Sequence, residues 1–303
     1  MLCWSRVLLL LYVLLLAAAT EDSGGAAMSH TEEGPPLNVI VEAVSGTALN
    51  VSWDPPDGEP LYYEVIGVQD SFDKFTSDTC YLIDDLQPCK TYFYTVASDY
   101  GNKPYPSPPA SGTTLVSVPP PPLNCDFGHI KTDSMYLNWS APDTACYISN
   151  YSISWSWSSL WEDEHDSGET LSTVTYTSLR DLPPYANVTV NIAAATDAGF
   201  GPPLTCWSVT QQGKPGPPVI IIIEINGNVG IVFWTPPEEV NGVIIYYEIL
   251  FEGERGESIS KSVDGTHLRG TVSDLQNGNY DVTVRAETAA GWGEKSVVWS
   301  IDV

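Results

Sequence analysis

The side chains with the widest chemical reach in this 303-residue chain are six cysteines, four histidines and thirty-eight carboxylates. A histidine close in sequence to other ligands could hold zinc, and one placed between a nucleophile and an acid could drive acyl transfer. His30, His129, His165 and His267 fall in four separate stretches, so neither constellation is visible. Asp84-Asp85, Glu238-Glu239, and Glu162-Asp163-Glu164 with Asp166 could hold calcium. They lack the alternating ligand spacing of a calcium loop and read as solvated hairpins. Gly199-Phe200-Gly201 and Gly291-Trp292-Gly293 each supply half of a nucleotide-loop signature, but in hairpin contexts rather than before helices. The expectation is a protein that is not an enzyme and uses no cofactor or metal.

The cysteines point to an oxidising compartment instead. Arg6 followed by Val7–Leu16 and Ala17-Ala18-Ala19 has the charged, apolar and small-residue order of a signal peptide over 1–19. The alternative, a signal anchor, needs about 20 apolar residues, and this run is shorter. No later run is long enough to span a bilayer, so the product is expected to be secreted and extracellular, or a soluble piece of a receptor. Removal of Cys3 leaves Cys80, Cys89, Cys125, Cys146 and Cys206, an odd number for a disulfide framework. Asn50, Asn138, Asn150 and Asn187 each begin an Asn-x-Ser/Thr acceptor for N-glycosylation. Strand alternation puts Asn50 and Asn138 on the parity opposite to Trp53 and Trp139, toward solvent, and Asn150 beside the inward Tyr151.

The elements that must position these residues are strands. Tyr247, Ile249 and Phe251 alternate with Glu248, Leu250 and Glu252, and Tyr280, Val282, Val284 and Ala286 alternate with Asp281, Thr283, Arg285 and Glu287. This period of two marks half-buried strands. Pro236-Pro237 stops the strand that ends near Trp234, because proline cannot donate to a ladder, and Asn241-Gly242 is a turn pair. The pattern recurs upstream: Trp53, Trp139 and Trp234 lie 86 and 95 positions apart, near the ~100 residues of a sandwich domain. The order Trp-x-Pro-Pro, Tyr, Leu, Tyr-x-Val-x-Val-x-Ala and a Gly-rich hairpin resembles a fibronectin type III domain. That resemblance implies an all-β chain of three tandem immunoglobulin-like seven-stranded sandwiches joined by Pro-rich linkers. It places each Trp on strand B, Tyr92 and Tyr280 at the "tyrosine corner" that opens strand F, and Trp53, Trp139, Trp234, Tyr92 and Tyr280 in the cores.

The implied organisation is a disordered acidic leader over 20–34, then domains over 35–116, 117–213 and 214–303. The stiff runs Val118–Pro122 and Lys214–Pro218 link them. Val188 occupies the corner position of the second domain, so that hydrogen bond is expected to be missing, with Tyr185 close by as a substitute. Within this frame Cys80 and Cys89 flank the first corner. A bond between them would close a ten-residue loop worth about 2.7 kcal/mol in the chain-entropy model; the alternatives are free thiols or a Cys89 paired elsewhere. Any two of Cys125, Cys146 and Cys206 could pair. Cys125 with Cys206 would join first strand to last, and Cys146 with Cys206 is the alternative.

Arg255-Gly256-Glu257 differs from the integrin tripeptide by Glu for Asp and lies outside the F–G loop, so that activity is not implied. Trp292–Ser296 is similar to a cytokine-receptor box, with Arg285 at the stacking position, but has Lys295 in place of the second Trp. The formal net charge of −26 repels phosphate, which argues against nucleic acid and anionic membranes and for a protein partner with a basic surface. Loops carry binding while scaffolds position them. The hairpin residues Tyr100, Lys103, Tyr105, Phe200 and Trp292 are therefore the candidate binding set of an adhesion or receptor-type interaction module. The competing expectations are a spacer with no ligand of its own and an accessory region of a larger secreted enzyme or receptor. The chain stops at Val303 where the last strand ends, which fits either a fragment or a short secreted form.

Overall fold

Leu49, Val51 and Trp53 are buried while Asn50, Ser52 and Asp54 between them are not, so the period of two in the sequence becomes an inside and an outside. The same alternation runs through Met135, Leu137 and Trp139 and through Tyr247, Ile249 and Phe251. The computed structural model describes residues 32–68 and 71–303. The proposed signal peptide over 1–19 and the leader up to residue 31 lie outside the described residues.

Every described element is a strand. The first module holds β1 (Leu37–Ala43), β2 (Leu49–Asp54), β3 (Tyr62–Gly67), β4 (Asp73–Thr76), β5 (Cys80–Ile83), β6 (Thr91–Asp99), β7 (Pro104–Pro106) and β8 (Ala110–Thr113). The second holds β9 (Leu123–Gly128), β10 (Met135–Ser140), β11 (Asn150–Ser159), β12 (His165–Ser172), β13 (Tyr176–Leu179), β14 (Ala186–Thr196), β15 (Gly199–Phe200) and β16 (Leu204–Val209). The third holds β17 (Val219–Asn226), β18 (Val229–Thr235), β19 (Tyr246–Gly253), β20 (Ser258–Asp264), β21 (Arg269–Val272), β22 (Asn279–Thr288), β23 (Gly291–Lys295) and β24 (Trp299–Asp302). Each module pairs a three-stranded sheet with a larger one: β1-β2-β5 with β4-β3-β6, β9-β10-β13 with β12-β11-β14, and β17-β18-β21 with β20-β19-β22. The last two strands of each module both pair with its longest strand, β6, β14 or β22. All the described pairings are antiparallel.

A Trp and a Tyr from opposing sheets centre each core: Trp53 on Tyr63, Trp139 on Tyr151 and Trp234 on Tyr247, with ring centroids 5.2, 5.3 and 5.2 Å apart. Trp53, Trp139, Trp234, Tyr92 and Tyr280 are all buried. The indole N–H groups of Trp139 and Trp234 have no hydrogen-bond partner among the described residues, so ring packing rather than hydrogen bonding holds them. At the corners, Tyr92 and Tyr280 accept from the backbone N–H of Gln87 and Gln276, at 2.8 and 3.1 Å. In the second module the corner carries only a threonine tie, from the buried Thr210 hydroxyl. It accepts from Ala186 N–H at 2.8 Å and donates to the Pro183 carbonyl at 2.7 Å, tying the last strand to the corner. Thr114 holds the first module in the same way, bonding Lys90 N–H and the Gln87 carbonyl. The second module therefore keeps the threonine tie and lacks the tyrosine one.

Burial pushes the Tyr247 phenol up to about 12. The unfolded chain releases this proton near the ordinary value of about 10, before the folded chain does, so the neutral phenol's stabilisation is complete below that pH. It is expected to be lost as pH rises from about 10 through 12. Denaturant titrations across that range should show the third module weakening, and Tyr247→Phe should remove that part of the slope.

Two compact units emerge from the contacts. One runs through Val118 and takes in Thr144–Tyr147 and Thr196–Gly199; the other comprises Pro119–Asp143, Ile148–Ala195 and Phe200–Val303. The expected Cys80–Cys89 bond is not formed. Cys89 pairs with Cys146, both in the first unit, with Cα atoms 5.0 Å apart, and Cys80 is not free either. Cys80 opens β5, which advances about 10 Å over four residues before the loop that carries Cys89 begins. The Cys89 sulfur is taken by Cys146, on a loop 57 residues further along the chain. Cys125 on β9 pairs with Cys206 on β16, Cα atoms 6.4 Å apart, joining the first and last strands of the second module.

Candidate interaction site at the loop hairpins

The three modules place a polar side chain at the same point, eight residues beyond the corner position: Tyr100, Thr196 and Thr288 after Tyr92, Val188 and Tyr280. Each grips the segment that precedes its own module's first strand. The Tyr100 hydroxyl donates to the Gly34 carbonyl at 3.2 Å and lies 3.3 Å from the Gly34 N–H. Thr196 donates to the Ser117 carbonyl at 2.8 Å, and Thr288 to the Gly213 carbonyl at 2.7 Å. Both threonines also accept from the N–H two residues on, at Ala198 and Ala290, which sets the hairpin turn. The turns need left-handed backbone at Gly101, Gly199 and Gly291, with φ of 88°, 113° and 99°, where glycine carries no Cβ penalty.

The second glycine of each Gly-aromatic-Gly triplet has a different cause. A Cβ on Gly201 would fall on the Pro119 carbonyl oxygen, and one on Gly293 on the Pro215 carbonyl oxygen. These triplets are docking surfaces for the proline linker. Gly293→Ala is expected to push the linker away and cost about 1–3 kcal/mol, as overpacking does. Thermal unfolding of the variant against the parent checks this, and an unchanged midpoint would mean that the linker is not held there.

In the first module the hairpin also grips a side chain. Tyr105 donates to the Glu33 carboxylate at 2.8 Å, and the Asn102 amide donates to it at 3.1 Å. These bonds, Asn102 first, hold the Glu33 carboxyl below the usual carboxylate range, and the bond to Glu33 pushes the Tyr105 phenol up. Tyr100 and Tyr105 meet edge to face at 5.6 Å, and the Lys103 ammonium lies 4.6 Å from the Tyr105 ring centre. Glu33 and Gly34, expected in a disordered leader, are thus tied to the hairpin. In the third module the Arg285 guanidinium lies 4.8 Å over the Trp292 ring and pairs with Glu248 at 2.6 Å. Of the five candidate residues, Tyr100, Tyr105 and Trp292 are half-buried by these contacts, while Lys103 and Phe200 stay exposed.

A cleft of about 710 Å³ opens beside the third hairpin, lined by Lys214, Pro215, Glu238, Glu239, Trp292 and Glu294 among others. Its three carboxylates against one ammonium, with an indole face, suit a cationic side chain better than an anionic one. The acceptor residues Asn50, Asn138, Asn150 and Asn187 are all half-buried. No group of side chains fit to hold a metal ion occurs among the described residues. No helix among them is long and apolar enough to cross a membrane.

The grips on the linkers escape a residue-by-residue reading. Their signal is in the repeats laid over one another, where Thr196-Asp-Ala-Gly-Phe-Gly and Thr288-Ala-Ala-Gly-Trp-Gly coincide downstream of a proline-rich linker.

Comparison with known proteins gives a consistent result. The model of the fibronectin type III domain matches residues 34–113, 120–209 and 214–302. The cell adhesion molecule Dscam1 of Drosophila melanogaster is 26% identical over 87% of this chain and 14% of its own length. The human phosphatidylinositol phosphatase PTPRQ is 26% identical over 88% of the chain and 12% of its own length. The chicken receptor-type tyrosine-protein phosphatase S is 28% identical over 84% and 18%. The chain thus spans less than a fifth of the length of each of these relatives. A crystal structure of chicken CNTN1 FN1-FN3 domains aligns over 89% of this chain and 98% of that one, at 18% identity and a TM-score of 0.44.

Proposed function

This chain belongs to the fibronectin type III family, and from that membership we infer that it is an extracellular protein–protein interaction module of the adhesion or receptor-ectodomain kind, without catalysis of its own. The observation that carries the reading is composition by domain. The matched segments take up all but short linkers of the described chain, and relatives named as cell adhesion molecules and receptor-type phosphatases align with most of it. A signal peptide over 1–19, secretion, and glycans on Asn50, Asn138, Asn150 and Asn187 belong to the same reading. The partner is a protein with a basic surface: the net charge of −26 speeds encounter with it, and the Trp292 cleft receives a lysine or arginine side chain.

The test is a screen of the secreted chain against extracellular proteins, with hits re-measured on variants. Trp292→Ala should weaken binding by about 2 kcal/mol or more, chiefly through faster dissociation, and raised salt should slow association. Lys103→Ala with Phe200→Ser probes the exposed hairpin positions without touching the grips on the linkers. Full-strength binding by all of these variants would move the site away from the hairpins. A second reading, a spacer with no ligand, draws support from Tyr100, Tyr105 and Trp292 being spent on contacts within the chain. A screen without hits would favour it.

A further inference from the structure

The outward face of the second module's larger sheet differs chemically from its counterparts. In the first module that face carries Glu64, Asp73, Phe75 and Asp99, and in the third Glu248, Glu252, Asp281, Arg285 and Glu287. In the second module the strand registers set three short polar rows side by side. Ser154 lies between Glu169 and Asn191, Ser156 between Ser167 and Thr189, and Ser158 between His165 and Asn187. The row continues onto β16, where Thr205 stands opposite Asn191 and Trp207 opposite Thr189. Glu169 is the one carboxylate among these positions, in a chain of net charge −26. A depression of about 610 Å³ is sunk into the face, lined by Ser156, Ser158, Ser167, Asn187 and Thr189, with the Asp166 carboxylate at one side. That is within the roughly 300–1,000 Å³ of small-molecule sites.

At the rim of this hydroxyl- and amide-rich face Trp207 is 69% exposed, although a tryptophan offers about 150–250 Å² for burial. Close-set hydroxyls and amides beside one open indole match the chemistry of a neutral pyranose. Its hydroxyls exchange hydrogen bonds with serine, threonine and asparagine, and its C–H face stacks on an aromatic ring. The face also contains a source for such a ring. Asn187-Val188-Thr189 is an N-glycosylation acceptor, and both Asn187 and Thr189 lie on it. Val209 is the direct partner of Asn187, so Trp207 is its diagonal neighbour, about 7–8 Å away between Cα atoms. The Asn187 Oδ1 is covered and without a hydrogen-bond partner.

We propose that this face is a saccharide-binding surface whose occupant is the chain's own N-linked glycan on Asn187, with its first sugar lying on the Trp207 indole. The proposal rests on the glycosylation reading above and adds to it where the glycan goes. The glycan covers the tryptophan and one face of the module, so partners must approach from elsewhere.

The experiment uses the full chain secreted from mammalian cells and trimmed to one N-acetylglucosamine per site. Glycopeptide mass spectrometry gives occupancy at Asn187, and NMR of isotope-labelled sugar gives the acetyl methyl resonance. The expected result is an occupied Asn187 with its acetyl methyl shifted upfield by the indole ring current. Trp207→Leu, which keeps apolar bulk without that ring current, should return the resonance to the position of a free glycan. An unoccupied Asn187 would overturn both the glycosylation reading at this site and the proposal. An occupied site with an unshifted resonance would overturn the proposal alone. Binding of soluble neutral oligosaccharides to the face of the occupied, untrimmed protein would show that the face serves an outside sugar, and would also overturn it. Asn187→Gln identifies which acetyl signal belongs to this site.

Discussion

Trp234→Ala is expected to lower the stability of the third module by about 3–5 kcal/mol. The ring is fully buried among Ile220, Val232, Tyr247, Ile249 and Phe251, and the smaller sheet makes room for it at Gly270, where a Cβ would meet both the indole and Ile249. Removing about 150–250 Å² of buried ring forfeits up to roughly 4–6 kcal/mol of transfer free energy, an upper bound against an extended chain. The hole left behind faces Tyr247, whose ring centre is 5.2 Å from the indole, and a ring of that size does not collapse into it without moving β19. The cores of the first and second modules share no residue with this cluster, so their transitions should persist. Denaturant unfolding should show one transition shifted and the rest in place. A loss below about 1 kcal/mol would mean that the indole does not centre this core.

The second large effect concerns the cross-links. Replacing Cys125 and Cys206 with serine removes a link across 81 residues, for which the chain-entropy model gives about 4.5 kcal/mol. The Cys89–Cys146 link, across 57 residues, gives about 4 kcal/mol on the same footing. The Cys125–Cys206 bond holds β9 to β16, strands that do not pair with one another, so no hydrogen-bonded ladder takes its place once it is cut. The double serine variant should unfold at markedly lower denaturant, and reduction of the parent, which also cuts the Cys89–Cys146 link, should lower it further. Peptide mapping of non-reduced protein should recover Cys89 with Cys146 and Cys125 with Cys206. A Cys80–Cys89 peptide would refute the first of these pairings.

Much of this fold is legible in the residues. The alternation at Leu49–Asp54 and Tyr247–Glu252 fixes which side chains are inward, and the Trp-x-Pro-Pro and tyrosine-corner spacings fix which strand each belongs to. The absence of a corner hydroxyl at Val188 is legible too, but the threonine tie that remains is not. Thr210, 22 positions away, holds the corner only as Thr114 does in the first module, through a strand pairing that local pattern does not reveal. The Cys89 partner is hidden for a similar reason. Cys80 is near in sequence, yet Cys146, 57 residues away, is the residue whose Cα lies 5.0 Å from that of Cys89. At the candidate site, residue type identifies Tyr100, Tyr105 and Trp292 as aromatic and loop-borne. It does not tell a ring held by Glu33 or Arg285 from one waiting for a partner.

The grips of Thr196 and Thr288 on their upstream carbonyls bear on what can be moved from one protein to another. Both threonines are buried. A piece excised to begin at Val219, the start of β17, would lose the Gly213 carbonyl to which Thr288 donates, at a cost of about 0.5–1.5 kcal/mol for the lost hydrogen bond. The same holds for Thr196 in a piece that begins at Leu123. The transplantable unit therefore starts six residues upstream of its first strand, at Ser117 or Gly213, in what looks like connector. A shuffled or grafted module that keeps those residues brings its own latch, and one trimmed to the strands arrives unlatched.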